Sequence, residues 1–562
     1  MPPASSIPAR GPIRSATRPP TIELAAVAAK NAAAERPSRA SSKRRSARVS
    51  TATPPSRKGG CTTITVTASD ARTARRLLTG AGVDSAGRLT VLLGGRGVAP
   101  ARTNPAVVPL PAGAGRRLPL SYTIAGSGHF RTLQARTQGR RDGSPDEVLG
   151  WSNGGADDVY PPLTREQETL RDRVRDFVRA EVQPVAGVYD QRENPEDCWP
   201  WELIEKLSEA GLRTITLSQA LGGGGIDYPT TAMLVEELAV GDMGVSVIMA
   251  QVWKIEQLIE ALATHEQKER LLIPFRDDPR GVLAICATEE HAGSDNVLPF
   301  NAPGAGSMMR VEEDGSEYVL TGTKRFISNG NRARLYVVAG RTDRERGVGD
   351  GTTYFLVPRE SSGIVIEHVH NKSGERLVNN AIIRFENVRI PKSNLLGALN
   401  DARSDRNYFR RISNVYAAAS VLGVAVAALQ QATAYARERV QGGKPIIEHQ
   451  AVQLKLANMA IGIESARALI RRTAESAQHD RDFDFALPSM CKVHATDVAM
   501  RAALDAAEIH GGLGLMRDYR GGAGPEKLVR DASVFLHSDG TQDIHRLRVA
   551  EKIKAGRPAL AE

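Results

Sequence analysis

The sequence predicts a mainly α-helical chain with a β domain at its centre: helices, then a small antiparallel β domain, then a helical bundle. Three observations predict it. Apolar residues recur at helical spacing from about residue 163, give way to short β-branched and aromatic runs from about 281, and return to helical spacing after about 396. These changes divide the 562 residues at 1–155, 156–280, 281–396 and 397–562. That length is enough for about two to four domains and a large core.

The first segment differs in kind from the rest. It is rich in Ala, Arg, Pro, Ser, Thr and Gly, with stretches such as SSKRRSAR at 41–48, and it has no methionine after Met1. Without a sustained apolar period it cannot bury enough surface to offset chain entropy, so disorder is expected over most of 1–155. An organelle transit peptide, a nucleic-acid contact and an overextended gene start are its other readings.

The net charge of +10 would ordinarily point to an anionic partner, but its distribution argues against that. Residues 1–150 carry 24 Lys and Arg against 7 Asp and Glu, which leaves 50 against 57 in the remainder. The positive charge belongs to the extension, and the body is mildly acidic. Cys61, Cys198, Cys286 and Cys491 lie far apart, with no CxxC pair and no metal-ligand spacing. The expectation is a reducing, cytoplasmic setting with no disulfide framework and no metal. No apolar run is read as approaching the ~20 residues of a membrane span.

Order begins near Leu163. In LTREQETLRDRVRDFVRAEVQPV the residues Leu170, Val174, Phe177, Val178 and Val182 keep helical spacing, and Thr164 with Glu166–Glu168 supplies a start. Further helices are predicted at about 200–210, 230–240, 245–263 and 264–275. From 281 the runs GVLAICAT, EYVLTGTKRFIS, ARLYVVAGRT, TTYFLVPR, GIVIEHV and NNAIIRFENVRIP are separated by Gly, Asn and Asp turns, as in an antiparallel β domain. In the C-terminal part Val452, Leu456, Met459, Ile463, Ala466 and Ile470 form one apolar stripe, suited to a bundle core.

Four stretches carry chemistry: CATEEHAGSD, GTKRFISNG, RERVQGGKPIIEHQAVQLKLANM, and IHGGLGLMRDY with EKLVRDASVFLHSDGTQDIHR. In the first, small residues let backbone N–H groups approach a ligand, and Thr288 and Ser294 offer hydroxyls. In the second an aromatic, Phe326, precedes Ser328 on a strand. Taken together, in this order and spacing over about 160–562, they resemble the acyl-CoA dehydrogenases.

That resemblance implies a three-domain fold of helices, an antiparallel β barrel and a four-helix bundle, FAD as cofactor, and a homotetramer built as a dimer of dimers. It implies dehydrogenation of an acyl-CoA thioester to the 2,3-enoyl-CoA, with electrons passed to an electron-transfer flavoprotein. By the same resemblance Ile285, Thr288, Ser294, Phe326 and Ser328 lie about the flavin, with Ser294 also near CoA. Arg439 reaches the FAD of a neighbouring subunit; His449 and Gln450 form the HQ pair beside the cofactor; Gly512 and Thr541 surround its phosphates and adenine side; Gln441 and Asp543 are further cofactor contacts. Ser413, Asn414 and Asp539 face the acyl group.

The sequence departs from the family in three places. Its usual RxxFG is Arg439-Val-Gln-Gly-Gly, the loop between Gly514 and Glu526 is longer than usual, and 296–309 is unlike the common pattern. These changes bear on substrate size.

Asp539 stands where most of the family has the catalytic glutamate. A second branch carries its base on an earlier helix at a position aligning with Ser413, and neither Ser413 nor Asn414 can serve. Asp539 is therefore the expected base. One methylene shorter than glutamate, it points toward branched or alicyclic thioesters. Alternatively Asp539 only caps the following helix, a role Asn would fill equally well. Two other functions stay open on the sequence: a flavin oxidase or monooxygenase on the same scaffold, and a non-catalytic DNA-binding flavoprotein of the alkylation-response type, which the acidic body disfavours.

Overall fold

The structure is a computed structural model that describes residues 163–296 and 302–556, without the side chains of 403–407, together with seven short strands before them. The chain divides into two units, 1–142 and 143–562. In the first unit the strands are β1 (Arg48–Ala52), β2 (Thr63–Thr67), β3 (Ala81–Val83), β4 (Leu89–Val91), β5 (Val107–Val108), β6 (Ser121–Gly126) and β7 (His129–Gln134). They pair as a four-stranded sheet, β1-β2-β6-β7, and a three-stranded one, β3-β4-β5. The expectation of disorder over the rest of 1–155 lies outside the described residues.

The second unit opens with α1 (Arg165–Phe177), whose start is a reciprocal cap. Thr164 Oγ1 accepts from the Gln167 N–H at 3.2 Å, while Gln167 Oε1 accepts from the Thr164 N–H at 3.0 Å. The partner is thus Gln167, and the glutamates on either side of it face the helix dipole. Next come α2 (Gln183–Asp190), α3 (Trp201–Glu209), α4 (Tyr228–Gly241) and α5 (Met243–Leu262), then short helical turns over 265–277. Asp227 caps α4 and Asp242 caps α5, each carboxylate accepting a backbone N–H three residues on, at 2.8 and 3.0 Å.

The central domain comprises β8 (Leu283–Cys286), β9 (Arg310–Asp314), β10 (Glu317–Ser328), β11 (Leu335–Arg341), β12 (Thr352–Pro358), β13 (Ile364–Val369), β14 (Asn380–Pro391) and β15 (Leu395–Leu396). Seven strands run in the order β13-β14-β10-β9-β11-β12-β15, and β8 joins β11 in parallel, so the sheet is mixed where a purely antiparallel one was expected. Alternation along the strands feeds two cores. Leu335, Val337, Tyr354 and Leu356 face the large helical core, whereas Tyr336, Val338, Phe355 and Val357 fill a second core inside the β domain.

The bundle is α6 (Ala402–Glu438), α7 (Gln450–His479), α8 (Leu487–His510), α9 (Pro525–Val534) and α10 (Gln542–Lys554). On α7 the predicted stripe does turn inward: Met459, Ile463, Ala466 and Ile470 are buried. One expectation is corrected here. The stretch Tyr408–Glu438 is long and apolar enough to cross a membrane by length and composition, yet its apolar window is wholly buried within the protein. It packs against α4, α5, α7 and α8, so the physical reason for its composition is burial on every side. The described cysteines, Cys198, Cys286 and Cys491, are unpaired and buried.

One buried ion cluster ties the three domains. Lys527 on α9 places its Nζ 2.7 Å from Asp242 Oδ2 at the cap of α5 and 2.6 Å from Asp531 Oδ2. Asp531 in turn accepts the backbone N–H of Glu375, from the turn before β14, at 2.7 Å. Burial alone would favour a neutral lysine, but the two carboxylates outweigh it and hold its pKa above the ordinary range.

Lys527→Met leaves two carboxylates buried without their counter-ion. Denaturant unfolding should show a loss of about 3–5 kcal/mol, and a loss below ~1 kcal/mol would show that the cluster does not join the domains.

Candidate active site

Asp539 sits in the turn between α9 and α10, and three buried groups fix that turn. Lys492 on α8, fully buried, donates to the carbonyl of Phe535, to the Gly540 carbonyl at 2.8 Å and to Gln542 Oε1 at 3.3 Å. Phe535 anchors the near end of the turn in the core. His545 Nε2 faces the Asp539 carbonyl at 2.9 Å and donates to it, while Nδ1 accepts from Ser489 Oγ at 3.0 Å. Burial, with Arg548 nearby, pushes His545 down to about 3, so the ring stays neutral in that tautomer. Burial also draws Lys492 down to about 8 against the pull of Asp539 and Asp497.

The backbone in this turn is unusual. Asp539 has φ of 52°, in the left-handed region that few residues other than Gly and Asn adopt. Gly540 follows at φ 100°, and a Cβ there would come within 2.7 Å of His545 Nε2, so only glycine fits beneath the ring. The helix cap is not Asp539 at all. Thr541 is the N-cap of α10, its Oγ1 accepting from the Ile544 N–H at 3.3 Å. The capping role that the sequence allowed Asp539 is carried two residues later, and the Asp539 carboxylate is left pointing elsewhere.

What it meets is Lys254, a residue that the sequence reading missed. Asp539 Oδ2 lies 3.5 Å from Lys254 Nζ; the aspartate side chain is 30% exposed and the lysine side chain 3%. Lys254 Nζ also donates to Ser413 Oγ at 3.3 Å and stands 5.3 Å above the Phe409 ring. Ser413 and its neighbour Asn414 are both buried. The structure therefore brings Asp539 and Ser413 together around one ammonium group.

A second wall is built on the β domain. Thr288 and Ser294 are half-buried hydroxyls on the loop after β8, Ile285 is half-buried on β8 itself, and Ser328 ends β10. The register of β10 against β14 slips between Lys324 and Ile327, a bulge that turns the Phe326 ring outward at φ 58°. That ring is 54% exposed and stacks on His370 at 4.7 Å. Beneath the loop Glu289 accepts from Lys324 Nζ at 2.8 Å and from the N–H groups of Met308 and Met309 at 2.8 and 2.9 Å. The Thr288 carbonyl accepts from the Arg325 N–H at 2.9 Å, which locks loop to strand. Asn296 belongs to the same knot through Ser307, while 297–301 lie outside the described residues.

This wall fits a flavin. An outward-turned aromatic ring is available to a planar partner, half-buried hydroxyls flank it, and the Nε of Arg325 and the Nε2 of His370 are buried with no hydrogen-bond partner.

The remaining predicted cofactor residues lie apart. Arg439 and Gln441 are exposed beyond the end of α6, and Gln450 is exposed at the start of α7. His449 faces the Gln441 carbonyl through Nε2 at 3.0 Å. Gly512 is exposed after α8 with open space above its Cα, and Asp543 pairs with Arg546 at 3.3 Å. Among the described residues no hydrogen bond or ion pair joins this set to Thr288, Phe326 and Ser328. The long 514–526 loop lies against α2 and α6: Gln191 Nε2 donates to the Arg517 carbonyl at 2.9 Å and Gln431 Nε2 to the Ala523 carbonyl at 3.0 Å.

Comparison with known proteins adds three family matches. The acyl-CoA dehydrogenase N-terminal domain matches residues 164–277, the middle domain 284–388 and the C-terminal domain 411–554. A probable acyl-CoA dehydrogenase of Bacillus subtilis is 34% identical over 393 residues, covering 70% of this chain and 98% of its own. The cyclohex-1-ene-1-carbonyl-CoA dehydrogenase of Geobacter metallireducens is 32% identical over 387 residues, 68% of this chain and 97% of its own. The solved butyryl-CoA dehydrogenase of Megasphaera elsdenii superposes with a TM-score of 0.65 at 28% identity, over 70% of this chain and 100% of its own.

His545 supplies a pH test of the turn. Between its ordinary value of 6.5 and about 3 the unfolded chain binds a proton that the folded chain refuses. Stability should therefore fall as pH falls through that window, by up to about 5 kcal/mol. His545→Gln, which cannot charge, should flatten that part of the profile; an unchanged slope would mean the ring is not held neutral.

Proposed function

The chain belongs to the acyl-CoA dehydrogenase family, and on that footing we propose that it removes the α and β hydrogens of an acyl-CoA thioester to give the 2,3-enoyl-CoA, with Asp539 as the base. The enzyme is an oxidoreductase of acyl-CoA thioesters; the residue roles are our reading. One observation carries them: the Asp539 carboxylate is free of capping duty and is held by a left-handed backbone, with its carbonyl gripped by His545.

Bound FAD supplies the acceptor for the β hydrogen, taken as hydride. Thr288, Ser294, Ser328 and the Phe326 ring would hold it on the β domain, with Ile285 behind them. Arg439 would reach it from a neighbouring subunit, and Gln441, His449, Gln450, Gly512, Thr541 and Asp543 would be further contacts of the cofactor, which accords with the exposure of Arg439, Gln441, Gln450, Gly512 and Asp543 in a single chain. Leu454 and Ile461 on α7, 65% and 68% exposed, and Leu515, 69% exposed, give apolar surface for such contacts. We read the assembly as a homotetramer, a dimer of dimers.

The chain's own part in the chemistry is proton transfer. Asp539 takes the α proton, so its carboxylate must come within hydrogen-bond reach of that carbon. Lys254, 3.5 Å away, is its ion-pair partner before the proton moves. The buried wall of Ser413, Asn414 and Lys254 keeps water from the developing enolate. Because aspartate is a methylene shorter than glutamate, the acyl group must approach closely, which favours compact branched or alicyclic thioesters. A relative named for an alicyclic thioester supports that choice. Electrons would leave to an electron-transfer flavoprotein in the cytoplasm.

The test is flavin absorbance, without oxygen, on mixing with straight, branched and alicyclic acyl-CoA thioesters. We expect bleaching by at least one class, slowed about 10²–10⁴-fold by Asp539→Asn. Bleaching by no acyl-CoA thioester of any class in the FAD-loaded protein, or an undiminished rate in the variant, would refute the reading.

A further inference from the structure

Lys254 does more than the proposed proton transfer requires, and its surroundings are unusual for the wall of an alkyl pocket. Its residue is 2% exposed, and Asp539 is its one ion-pair partner among the described residues, at 3.5 Å, the long end of such contacts. An ammonium group has three donors; Ser413 Oγ takes one at 3.3 Å. A buried cation so loosely matched carries a desolvation cost of several kcal/mol.

Two further buried polar groups flank the pair in sequence. Gln251 lies one turn before Lys254 on the same side of α5, and Asn414 follows Ser413 on α6. They are 7% and 6% exposed, and Gln251 Oε1 and Asn414 Oδ1 have no hydrogen-bond partner. An amide turned about its last bond presents its NH₂ as readily as its oxygen, so both can act as donors. An alkyl chain would offer Lys254 no acceptor beyond Asp539 and Ser413, and no partner to the two unpaired amide oxygens, at about 1–3 kcal/mol for each group left unpaired.

Turnover sharpens the mismatch. When Asp539 accepts the α proton it becomes neutral, and the Lys254 charge then has no counter-ion.

We propose that Lys254, with Ser413 beside it, forms a subsite for a carboxylate carried at the far end of a short acyl chain, and that Lys254 selects such ω-carboxyacyl thioesters. This deepens the dehydrogenase reading and rests on it. The substrate carboxylate takes over from Asp539 as partner of Lys254, which frees Asp539 to turn to the α carbon. A carboxylate oxygen about 2.8 Å from Nζ stands within roughly 6 Å of Asp539 Oδ2, so few bonds separate it from the reacting carbons. The reaction balances as before, proton to Asp539 and hydride to the flavin, and the carboxylate is not consumed.

The test compares succinyl-, glutaryl- and adipyl-CoA with butyryl-, valeryl- and hexanoyl-CoA by anaerobic bleaching of the flavin, in the wild type and in Lys254→Met. The wild type should favour one ω-carboxyacyl thioester over the alkyl thioester of equal length by ~tenfold or more in kcat/KM, and Lys254→Met should reverse the order. A wild type that bleaches with alkyl thioesters at least as well as with their ω-carboxy counterparts would overturn the subsite and leave the dehydrogenase reading standing. Bleaching by neither series, nor by the branched and alicyclic thioesters, would overturn both. The wild-type ratio needs no variant, so it decides the matter even if Lys254→Met does not fold.

Discussion

The buried ammonium of Lys527 is the contact on which the rest of this structure depends. One of its carboxylate partners, Asp242, begins α5; the other, Asp531, lies on α9 and also holds the Glu375 backbone of the β domain. Three domains that meet through one ion cluster cannot shift independently without stranding a buried charge. Arg530 reinforces the joint, with its guanidinium 2.7 Å and 3.1 Å from the oxygens of fully buried Asp190. The functional consequence is geometric. α5 carries Lys254 and α9 leads into the turn that carries Asp539, so the cluster sets the spacing of the two charged groups in the site.

Within that frame the eleven residues after α9, Phe535 to His545, divide their labour. Thr541 caps α10, Gly540 makes room for His545, and His545 fixes the Asp539 carbonyl. Each task is done by a side chain other than the Asp539 carboxylate. A left-handed aspartate costs about 1–2 kcal/mol relative to ordinary backbone, and strain of this kind persists where surrounding contacts over-determine it. Here Lys492 and His545 do so from inside the bundle.

Much of the fold was legible because it rests on local periods. The α7 stripe from Val452 to Ile470 and the alternating runs of the β domain each announce a buried face. What was not legible depends on partners distant in sequence. β8 pairs in parallel with β11, which no local run reveals. The α6 core is apolar on every side, so it has no period and its length passed unremarked. Of the site, the motif residues on the loop after β8 and on β10 were visible through their resemblance to the family, and so was Asp539. Lys254 was not: a single lysine in an apolar helix reads as a solvent-facing residue, and its burial appears only once α6 and the Asp539 turn close over it. The cap was ambiguous for a similar reason, since Asp, Gly and Thr in a row leave two candidates and only φ/ψ decides between them.

The central claim is that Asp539 removes the α proton, and solvent-isotope exchange at that carbon tests it most directly. A thioester that bleaches the flavin would be incubated with the enzyme in deuterated water without an electron acceptor, and deuterium at the α carbon followed by mass spectrometry. The account predicts steady uptake with the wild type and essentially none with Asp539→Asn. Uptake at an equal rate in the variant would place the base elsewhere and contradict it.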